Sequence, residues 1–146
     1  MEVRIRHGKE MQSEAFARFH RLVCDQPFDE GGGDNGMTPP ELMLSALGCC
    51  AMHYAGAYLR ARKLPLDEIE LRVSARKGGH PVRLAEIGIE VDAPGLNART
   101  REGLIKSIEA CLLHQTLSDP PRLKVSMSTV VTEGPPAVHY APPRAS

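Results

Sequence analysis

The sequence predicts an α+β domain in which an antiparallel sheet wraps one long central helix. Three observations support this fold class: a long apolar segment from Pro39 to Lys63, two segments of period-two alternation between Ile69 and Asp92, and an amphipathic segment from Asn97 to Leu113. Alternation with period two indicates strands, and an apolar face with period 3.6 indicates a helix. Strands, a long helix, a hairpin and a second helix in this order are typical of the α+β class.

Length and charge exclude several classes of protein. The 146 residues suit one domain with a substantial core, and 18 basic residues balance 18 acidic ones. With no net charge and no Trp, nothing favours nucleic acid or an anionic membrane surface. Met1 to Arg4 do not resemble a signal peptide, and the four cysteines lack the spacing of a disulfide framework. We therefore expect a cytoplasmic protein without nucleic-acid or membrane partners.

The N-terminal third is predicted to consist of short strands and one loop. Val3 to Arg6 predicts a strand, Gly8-Lys9 a turn, and Met11 to Val23 one or two further strands. Phe28 to Met37 predicts a loop because its centre is Gly31-Gly32-Gly33-Asp34-Asn35-Gly36. A glycine-rich loop before a helix can bind phosphate, but this one lacks the lysine of a P-loop and the spacing of a dinucleotide site. We therefore expect a flexible connection.

The central helix is predicted over Pro39 to Lys63. Proline suits a first helical turn, Glu41 is favourable at the positive end of the helix dipole, and Pro65 follows the basic C-terminal end. No charged residue lies between Leu42 and Leu59. A helix that is apolar nearly all round is buried on most sides, by a sheet or by a second subunit. A membrane span has a similar length, but small and polar residues interrupt this run, which favours a core helix.

The second half of the chain continues with a hairpin and a second helix. Ile69 to Arg76 and Glu86 to Asp92 alternate apolar and polar residues, and Gly78 to Pro81 between them is typical of a turn. Asn97 to Leu113 predicts a helix with one apolar face.

The C-terminal end is predicted to hold one more strand, from Lys124 to Thr132. Residues 134–146 include four prolines and few groups that a core would bury, so we expect a mobile tail. The single domain is accordingly predicted to span residues 1–133.

The cysteines carry the most concentrated chemical signal. Cys50 lies midway along the central helix and Cys111 on the apolar face of the second helix, so both are expected to face the interior. A buried free cysteine often packs as a small hydrophobe. Here, however, His53 and His114 follow the two cysteines at i+3, on the same helix face. A histidine beside a thiol lowers its pKa and raises the fraction of nucleophilic thiolate.

Other roles for these residues remain open at this point. Two Cys–His pairs on packed helices also supply the ligands of a Cys₂His₂ zinc site, although the spacing differs from that of zinc knuckles. Glu41 is either a first-turn helix residue or a buried carboxylate that orients a site. Cys49 lies about 100° around the helix from Cys50, so one of the two packs elsewhere. Cys24, at the end of a strand, has no predicted role.

Three segments together resemble the OsmC/Ohr family of osmotically induced and organic-hydroperoxide-resistance proteins. They are Asp25-Gln26-Pro27 with the glycine-rich loop after it, Thr38 to Cys50, and Cys111 to Leu117. The resemblance extends to about Glu133. It implies an OsmC-like fold and an intertwined homodimer, in which sheets from both subunits wrap two central helices and the thiol sites lie at the interface.

The resemblance also implies a cofactor-free thiol peroxidase that binds no metal. Cys50 would match the peroxidatic thiolate that attacks a peroxide and becomes a sulfenic acid, and Cys111 the resolving thiol that forms a disulfide with it. An external dithiol would reduce that disulfide. Apolar walls would favour organic hydroperoxides, and Glu41, His53 and His114 would tune the site.

One departure from the family pattern leads to a second hypothesis. The family's peroxidases pair the thiolate with an arginine from an earlier loop, held by a glutamate at the position that Pro40 occupies here. No arginine lies between Cys24 and Glu41, and the nearest ones before this segment are Arg18 and Arg21. The chain therefore resembles a divergent branch in which a histidine replaces the arginine. The alternative is an OsmC-like protein that binds a small hydrophobic ligand or senses oxidation without catalytic turnover.

Overall fold

The structure is a computed structural model that describes residues 1–127. The described chain forms two compact units, each with its own antiparallel sheet. One unit comprises Met1–Pro39 and the described residues from Arg122 onward, and the other comprises Pro40–Pro121. The helices and strands confirm the predicted α+β class.

The first unit contains a three-stranded antiparallel sheet in the order β1-β2-β3. Its strands are β1 (Arg4–His7), β2 (Ser13–Ala17) and β3 (His20–Cys24), and a 3₁₀ turn follows at Phe28–Glu30. The register pairs Arg4 with Phe16 and Ser13 with Cys24. The segment predicted as one or two strands therefore forms two, joined by a turn in which Arg18 has a φ of 55°.

The glycine-rich loop is held by the buried carboxylate of Asp25. That carboxylate accepts hydrogen bonds from the backbone amides of Gln26 at 2.8 Å, Gly33 at 3.2 Å and Asn35 at 3.1 Å, and from Asn35 Nδ2 at 3.2 Å. A Cβ at Gly32 would overlap the Gln26 carbonyl oxygen, so the loop requires glycine there. The loop is thus more ordered than the flexible connection that the sequence predicted.

The second unit packs three helices and a hairpin. Its elements are α1 (Pro39–Ala61, which begins at the unit boundary), β4 (Glu70–Gly78), β5 (Arg83–Asp92), α2 (Ala98–Glu109) and α3 (Leu112–Ser118). The hairpin is antiparallel, with Leu71 opposite Val91. The central helix and the hairpin predicted from the sequence are confirmed.

The core of this unit lies along one side of α1. Leu47, Ala51, Ala55 and Leu59 recur every fourth residue and are at most 4% exposed. This spacing places them on one face of the helix. They meet the buried apolar residues of α2 and its C-terminal end, which are Leu104, Ile108 and Cys111. Half-buried residues of the hairpin complete the core: Leu71, Val73, Ile87, Ile89 and Val91.

Within a single chain, α1 is buried along this one stripe and not on most sides as predicted. Ala46, Cys49, His53 and Ala57 on another face are exposed. Among the described residues, α1 is the one helix long and apolar enough for a membrane span, with a mean hydropathy of 1.3 and 22% of that window buried. Core helices of other proteins meet the same two criteria, so length and composition alone do not assign a membrane.

The second predicted helix is interrupted at Cys111, which corrects the prediction of one continuous helix from Asn97 to Leu113. Cys111 has an extended backbone, with φ −66° and ψ 147°, and its side chain caps the separate helix α3. Cys111 is therefore buried at a junction and not on a helix face. Residues 124–127 of the predicted last strand are not in a strand, while its remainder, the domain limit at Glu133 and the predicted tail at 134–146 lie outside the described residues.

Candidate functional site

The structure brings Cys50 and Cys111 together, from two different parts of the chain. Cys50 is half-buried on α1 and packs against the core cluster that contains Cys111, which is fully buried. The Cys50 side chain is one of the groups that raise the pKa of the Cys111 thiol. Both cysteines are reduced, as are the half-buried Cys24 and the exposed Cys49. A pair of adjacent free thiols is the arrangement from which a disulfide forms on oxidation.

The environment of Cys111 keeps its thiol protonated. Burial raises the pKa of the Cys111 thiol above its ordinary value, and the neighbouring Cys50 raises it further. The backbone amide of His114, which donates to the Cys111 sulfur, acts in the opposite direction and lowers this pKa. A protonated thiol is a weak nucleophile. The half-buried Cys50 is therefore better suited than Cys111 to a first attack on a substrate from outside.

The two histidines occupy different environments. His53 is exposed, and its ring meets the Tyr54 ring edge-on at 5.9 Å. His114 is half-buried, and the group that reaches the Cys111 sulfur, at 3.3 Å, is its backbone amide. Among the hydrogen bonds within residues 1–127, none joins a histidine ring to a cysteine. Glu41 lies exposed in the first turn of α1.

A cleft of about 450 Å³ lies within the second unit, and neither Cys50 nor Cys111 is among the residues that line it. Leu47, Ile108 and His114 line it, and each is three positions from Cys50 or Cys111. The other lining side chains are mainly apolar and come from α1, the hairpin, α2 and α3: Met43, Leu84, Ala85, Ile87, Ile89, Val91, Ile105 and Leu117. The polar ones are Arg83, Glu86, Glu109 and Ser118. This composition is typical of a site for a small, largely apolar molecule.

The side chains proposed for a zinc site do not assemble. In the part of the chain that the structure describes, no group of three or more His, Cys, Asp or Glu side chains is placed to hold a metal ion. His53 is exposed, and His114 meets Cys111 through its backbone amide. The Cys₂His₂ alternative is therefore not supported by the positions of its four side chains.

The arginines that precede the central helix have other surroundings in their own unit. Arg21 forms an ion pair with Glu14 at 2.5 Å, and this contact raises the pKa of Arg21 and lowers the pKa of Glu14. Arg18 is exposed in the turn between β2 and β3. Arg21 is thus paired with a glutamate of the same three-stranded sheet in the first unit.

Asp25 is the structurally central residue that the sequence analysis left without a role. Its carboxylate is 1% exposed and accepts four hydrogen bonds. The Asn35 backbone amide is the largest cause of a lowered Asp25 pKa, with the other donors adding to it. An aspartate just before a glycine-rich segment is a signal for a side chain that accepts from nearby amides. That signal was present in the sequence.

Comparison with known proteins identifies the fold. A model of the family described as OsmC-like protein matches residues 31–126. No curated protein matches the sequence.

Three solved structures illustrate the likeness. A protein from Psychrobacter arcticus, provisionally described as an osmotic stress induced and detoxification response protein, is 16% identical with a TM-score of 0.71, covering 78% of this chain and 85% of that one. The organic hydroperoxide resistance protein OsmC from Legionella pneumophila is 17% identical with a TM-score of 0.59, covering 81% and 88%. The organic hydroperoxide resistance protein OhrB of Bacillus subtilis is 18% identical with a TM-score of 0.56, covering 82% and 90%.

Proposed function

The chain belongs to the OsmC-like protein family, and from this premise we propose that it is a thiol-dependent peroxide reductase acting on organic hydroperoxides. The observation that carries the proposal is the packing of Cys50 against the core cluster that contains Cys111, with both thiols free. Two proteins of the same fold are named for organic hydroperoxide resistance, which supports the same class of substrate.

The proposed reaction uses the two thiols in sequence. The Cys50 thiolate attacks the distal oxygen of the hydroperoxide, the O–O bond breaks, and the alcohol leaves after taking up a proton. Cys50 is then a sulfenic acid. The Cys111 sulfur attacks it, the disulfide forms, and water leaves. The sum is one hydroperoxide and two thiols giving one alcohol, one water and one disulfide, which an external dithiol reduces by exchange.

Burial distinguishes the roles of the two cysteines. Cys50 is half-buried, one turn from Leu47 of the cleft wall, and is therefore the more accessible of the two thiols. Cys111 is buried and its thiol pKa is raised by that burial, which suits a resolving thiol that meets only its neighbour. The apolar cleft walls favour an organic hydroperoxide over hydrogen peroxide. In this proposal His114, which lines the cleft, tunes the site, and the exposed His53 and Glu41 contribute only weakly.

The proposed assembly is a cytoplasmic homodimer without nucleic-acid or membrane partners. Its support is the uncharged face of α1 that the single chain leaves exposed, at Ala46, Cys49, His53 and Ala57. Exposed apolar surface of this kind marks an interface in soluble proteins. A second copy with its sheet wrapped over this face would complete the burial that the sequence predicts for the helix.

A second candidate function is binding of a small hydrophobic ligand, or sensing of oxidation, without turnover. The observation that favours it is the absence of an arginine between Cys24 and Glu41, together with the ion pair that Arg21 makes with Glu14. A cation beside a cysteine raises its fraction of nucleophilic thiolate, and the loop before α1 supplies no arginine for that purpose. The apolar cleft of the second unit would then serve as the ligand site.

Stoichiometric oxidation distinguishes the two functions. Reduced protein is mixed with about one equivalent of cumene hydroperoxide, quenched with an alkylating agent after set times, and mapped by peptide mass spectrometry. A Cys50–Cys111 disulfide that forms within seconds, and fails to form in Cys50→Ser, supports the reductase. Cys49→Ser is the matched control, since its thiol is exposed and next in sequence. Persistence of both thiols as free and unmodified would contradict the reductase and favour ligand binding.

A further inference from the structure

The second unit contains another cleft, between the C-terminal end of α1 and the helix α2. Its volume is about 430 Å³. Tyr58 and Arg62 line it from the end of α1, and four residues of α2 line it from the other side: Arg99, Glu102, Gly103 and Lys106. None of these residues lines the apolar cleft. Because three of the lining residues are cations and one is an anion, we call this second site the basic cleft.

The guanidinium of Arg62 is held in place without a carboxylate. Its Cζ lies 3.6 Å from the centre of the Tyr58 ring, and its Nη1 donates to the Tyr58 carbonyl oxygen at 3.1 Å. These interactions use one face of the planar group and one of its five N–H donors. No ion pair within residues 1–127 includes Arg62. The group is therefore positioned and keeps donors for an anion in the basic cleft.

The position of Tyr58 against α2 depends on Gly103. A Cβ at Gly103 would overlap the Tyr58 hydroxyl oxygen, which explains a glycine inside a helix, where this residue is unfavourable. The hydrogen bonds within residues 1–127 do not use the Tyr58 hydroxyl, and no buried side-chain oxygen of that range lacks a partner. The hydroxyl is therefore accessible and adds a neutral donor to the basic cleft.

Helix α2 adds two more cations. Arg99 is exposed and belongs to no ion pair within the part of the chain that the structure describes. Lys106 Nζ pairs with Glu102 Oε1 at 2.6 Å, so the one carboxylate of the cleft neutralises one cation. Two positive charges, on Arg62 and Arg99, remain without a counter-charge in a chain whose net charge is zero. A concave surface with such a local excess of positive charge attracts anions.

We propose that the basic cleft binds a phosphate group, carried by a small phosphorylated molecule or present as inorganic phosphate. A phosphate group carries about 1.5 to 2 negative charges at neutral pH, which matches the two unpaired arginines, whereas a carboxylate carries only one. The forked N–H donors of arginine fit phosphate oxygens in bidentate geometry. Sites for small molecules span about 300–1,000 Å³, so the cleft has room for an organic group beside the phosphate.

The basic cleft is a separate site from the one assigned to peroxide reduction. Tyr58 follows Cys50 by eight residues on α1, which is about 12 Å along the helix axis. The proposed phosphate ligands include neither cysteine nor any residue of the apolar cleft. Phosphate binding and peroxide reduction can therefore each be confirmed or refuted without the other.

Isothermal titration calorimetry on the full reduced chain tests the proposal. Inorganic phosphate, glycerol 3-phosphate and acetate are titrated separately at low ionic strength and neutral pH. We expect saturable binding of one phosphate group per chain that weakens as sodium chloride is added, and much weaker binding of acetate. Tighter binding of glycerol 3-phosphate than of inorganic phosphate would assign the site to a phosphorylated molecule, and the reverse order would assign it to the inorganic ion.

Two charge-matched pairs of variants locate the site. Arg62→Gln and Arg99→Gln each remove a cation from the basic cleft, whereas Arg60→Gln and Arg101→Gln remove an exposed cation from the same helices outside it. All four change the net charge by the same amount. The two cleft variants should weaken phosphate binding about tenfold, as expected for loss of a hydrogen bond between charged groups, and the two controls less than twofold.

Three results would overturn the proposal. Equal weakening by a cleft variant and its control would show that net charge alone attracts the anion. Binding of acetate as tight as that of phosphate would refute the phosphate class. Absence of saturable phosphate binding to the folded wild-type chain would refute the site itself.

Discussion

The Cys111 sulfur accepts a hydrogen bond from the backbone amide of His114, at 3.3 Å. The Cys-x-x-His spacing at this point therefore produces a helix cap and not a thiol paired with an imidazole. As a consequence, the His114 ring is available to line the cleft, and Cys111 remains a protonated thiol beside Cys50. The chemistry of the site thus depends on where one helix ends and the next begins.

Replacement of Cys50 and replacement of Cys111 should stop peroxide reduction at different steps. Cys50→Ser should lower peroxide turnover by more than about a thousandfold, because the nucleophile itself is lost. In Cys111→Ser the first oxidation of Cys50 should still occur, but the reaction should stop there because the resolving thiol is missing. Cys50 then remains a sulfenic acid, which a dimedone-type reagent traps. Steady-state and single-turnover assays with cumene hydroperoxide measure both effects. Full turnover in either variant would contradict the two-cysteine scheme, and Cys49→Ser should behave as the wild type.

Replacement of the histidine rings separates their contributions. His114→Ala keeps the backbone amide that donates to Cys111 but removes a side chain from the cleft wall, so KM for an organic hydroperoxide should rise about threefold to tenfold. His53 is exposed and meets only the edge of Tyr54 in the described contacts, so His53→Ala should change kcat/KM by less than about twofold. Equal effects of the two substitutions would show that position at the cleft does not matter.

Local sequence signals were sufficient for most of the fold. Pro39 in the first turn and the uncharged run after it defined α1, and period-two alternation defined the β4–β5 hairpin. The break at Cys111 was missed because Leu104, Ile108 and Leu112 keep helical spacing across it. Neither glycine nor proline marks the junction, since a cysteine side chain does the capping.

The proximity of the two thiols and the order of the glycine-rich loop depend on contacts distant in sequence. Cys50 and Cys111 meet because α1 and α2 bury facing stripes, and a spacing along the chain does not encode that distance. The loop is ordered because the Asp25 carboxylate accepts hydrogen bonds from backbone amides as far along the chain as Asn35. The glycine-rich composition of the loop is typical of a flexible segment and does not predict these hydrogen bonds. The single chain covers one side of α1, and a run of apolar residues does not specify whether a sheet or a second subunit covers the other side.

The glycine-rich loop should tolerate no side chain at Gly32. Its Cβ would overlap the Gln26 carbonyl oxygen, which is fixed backbone, so Gly32→Ala should lower the free energy of unfolding by more than about 2 kcal/mol. Gly56→Ala is the matched control, because its nearest neighbour would be Leu66 Cδ2 at an ordinary 3.9 Å. In a helix that change should be neutral or stabilise by up to about 1 kcal/mol. Urea denaturation compares them, and similar effects would contradict the loop geometry.

Stability should fall at alkaline pH through Cys111. Burial, with the neighbouring Cys50, raises the Cys111 pKa, so the folded state holds the proton more tightly than the unfolded state. The resulting stabilisation is complete below the unfolded pKa of about 8.5 and is lost as the pH rises through the folded value. Under reducing conditions, Cys111→Ser should show a shallower decline above pH 8. A decline as steep as in the wild type would assign the effect to other groups.

Asp25 should produce the opposite dependence at acid pH. The Asn35 backbone amide, followed by the amides of Gln26 and Gly33, lowers the Asp25 pKa, so the unfolded state binds its proton more readily. The stabilisation is complete above the unfolded pKa of about 3.9 and is lost as the pH falls through the lower folded value. In urea denaturation between pH 2 and 6, Asp25→Asn should remove this acid-dependent loss. It should also destabilise the protein at neutral pH, because the asparagine amide turns donors toward a backbone amide. Asp29→Asn, at an exposed position in the same loop, should keep the wild-type slope, and equal slopes in both variants would contradict the role of Asp25.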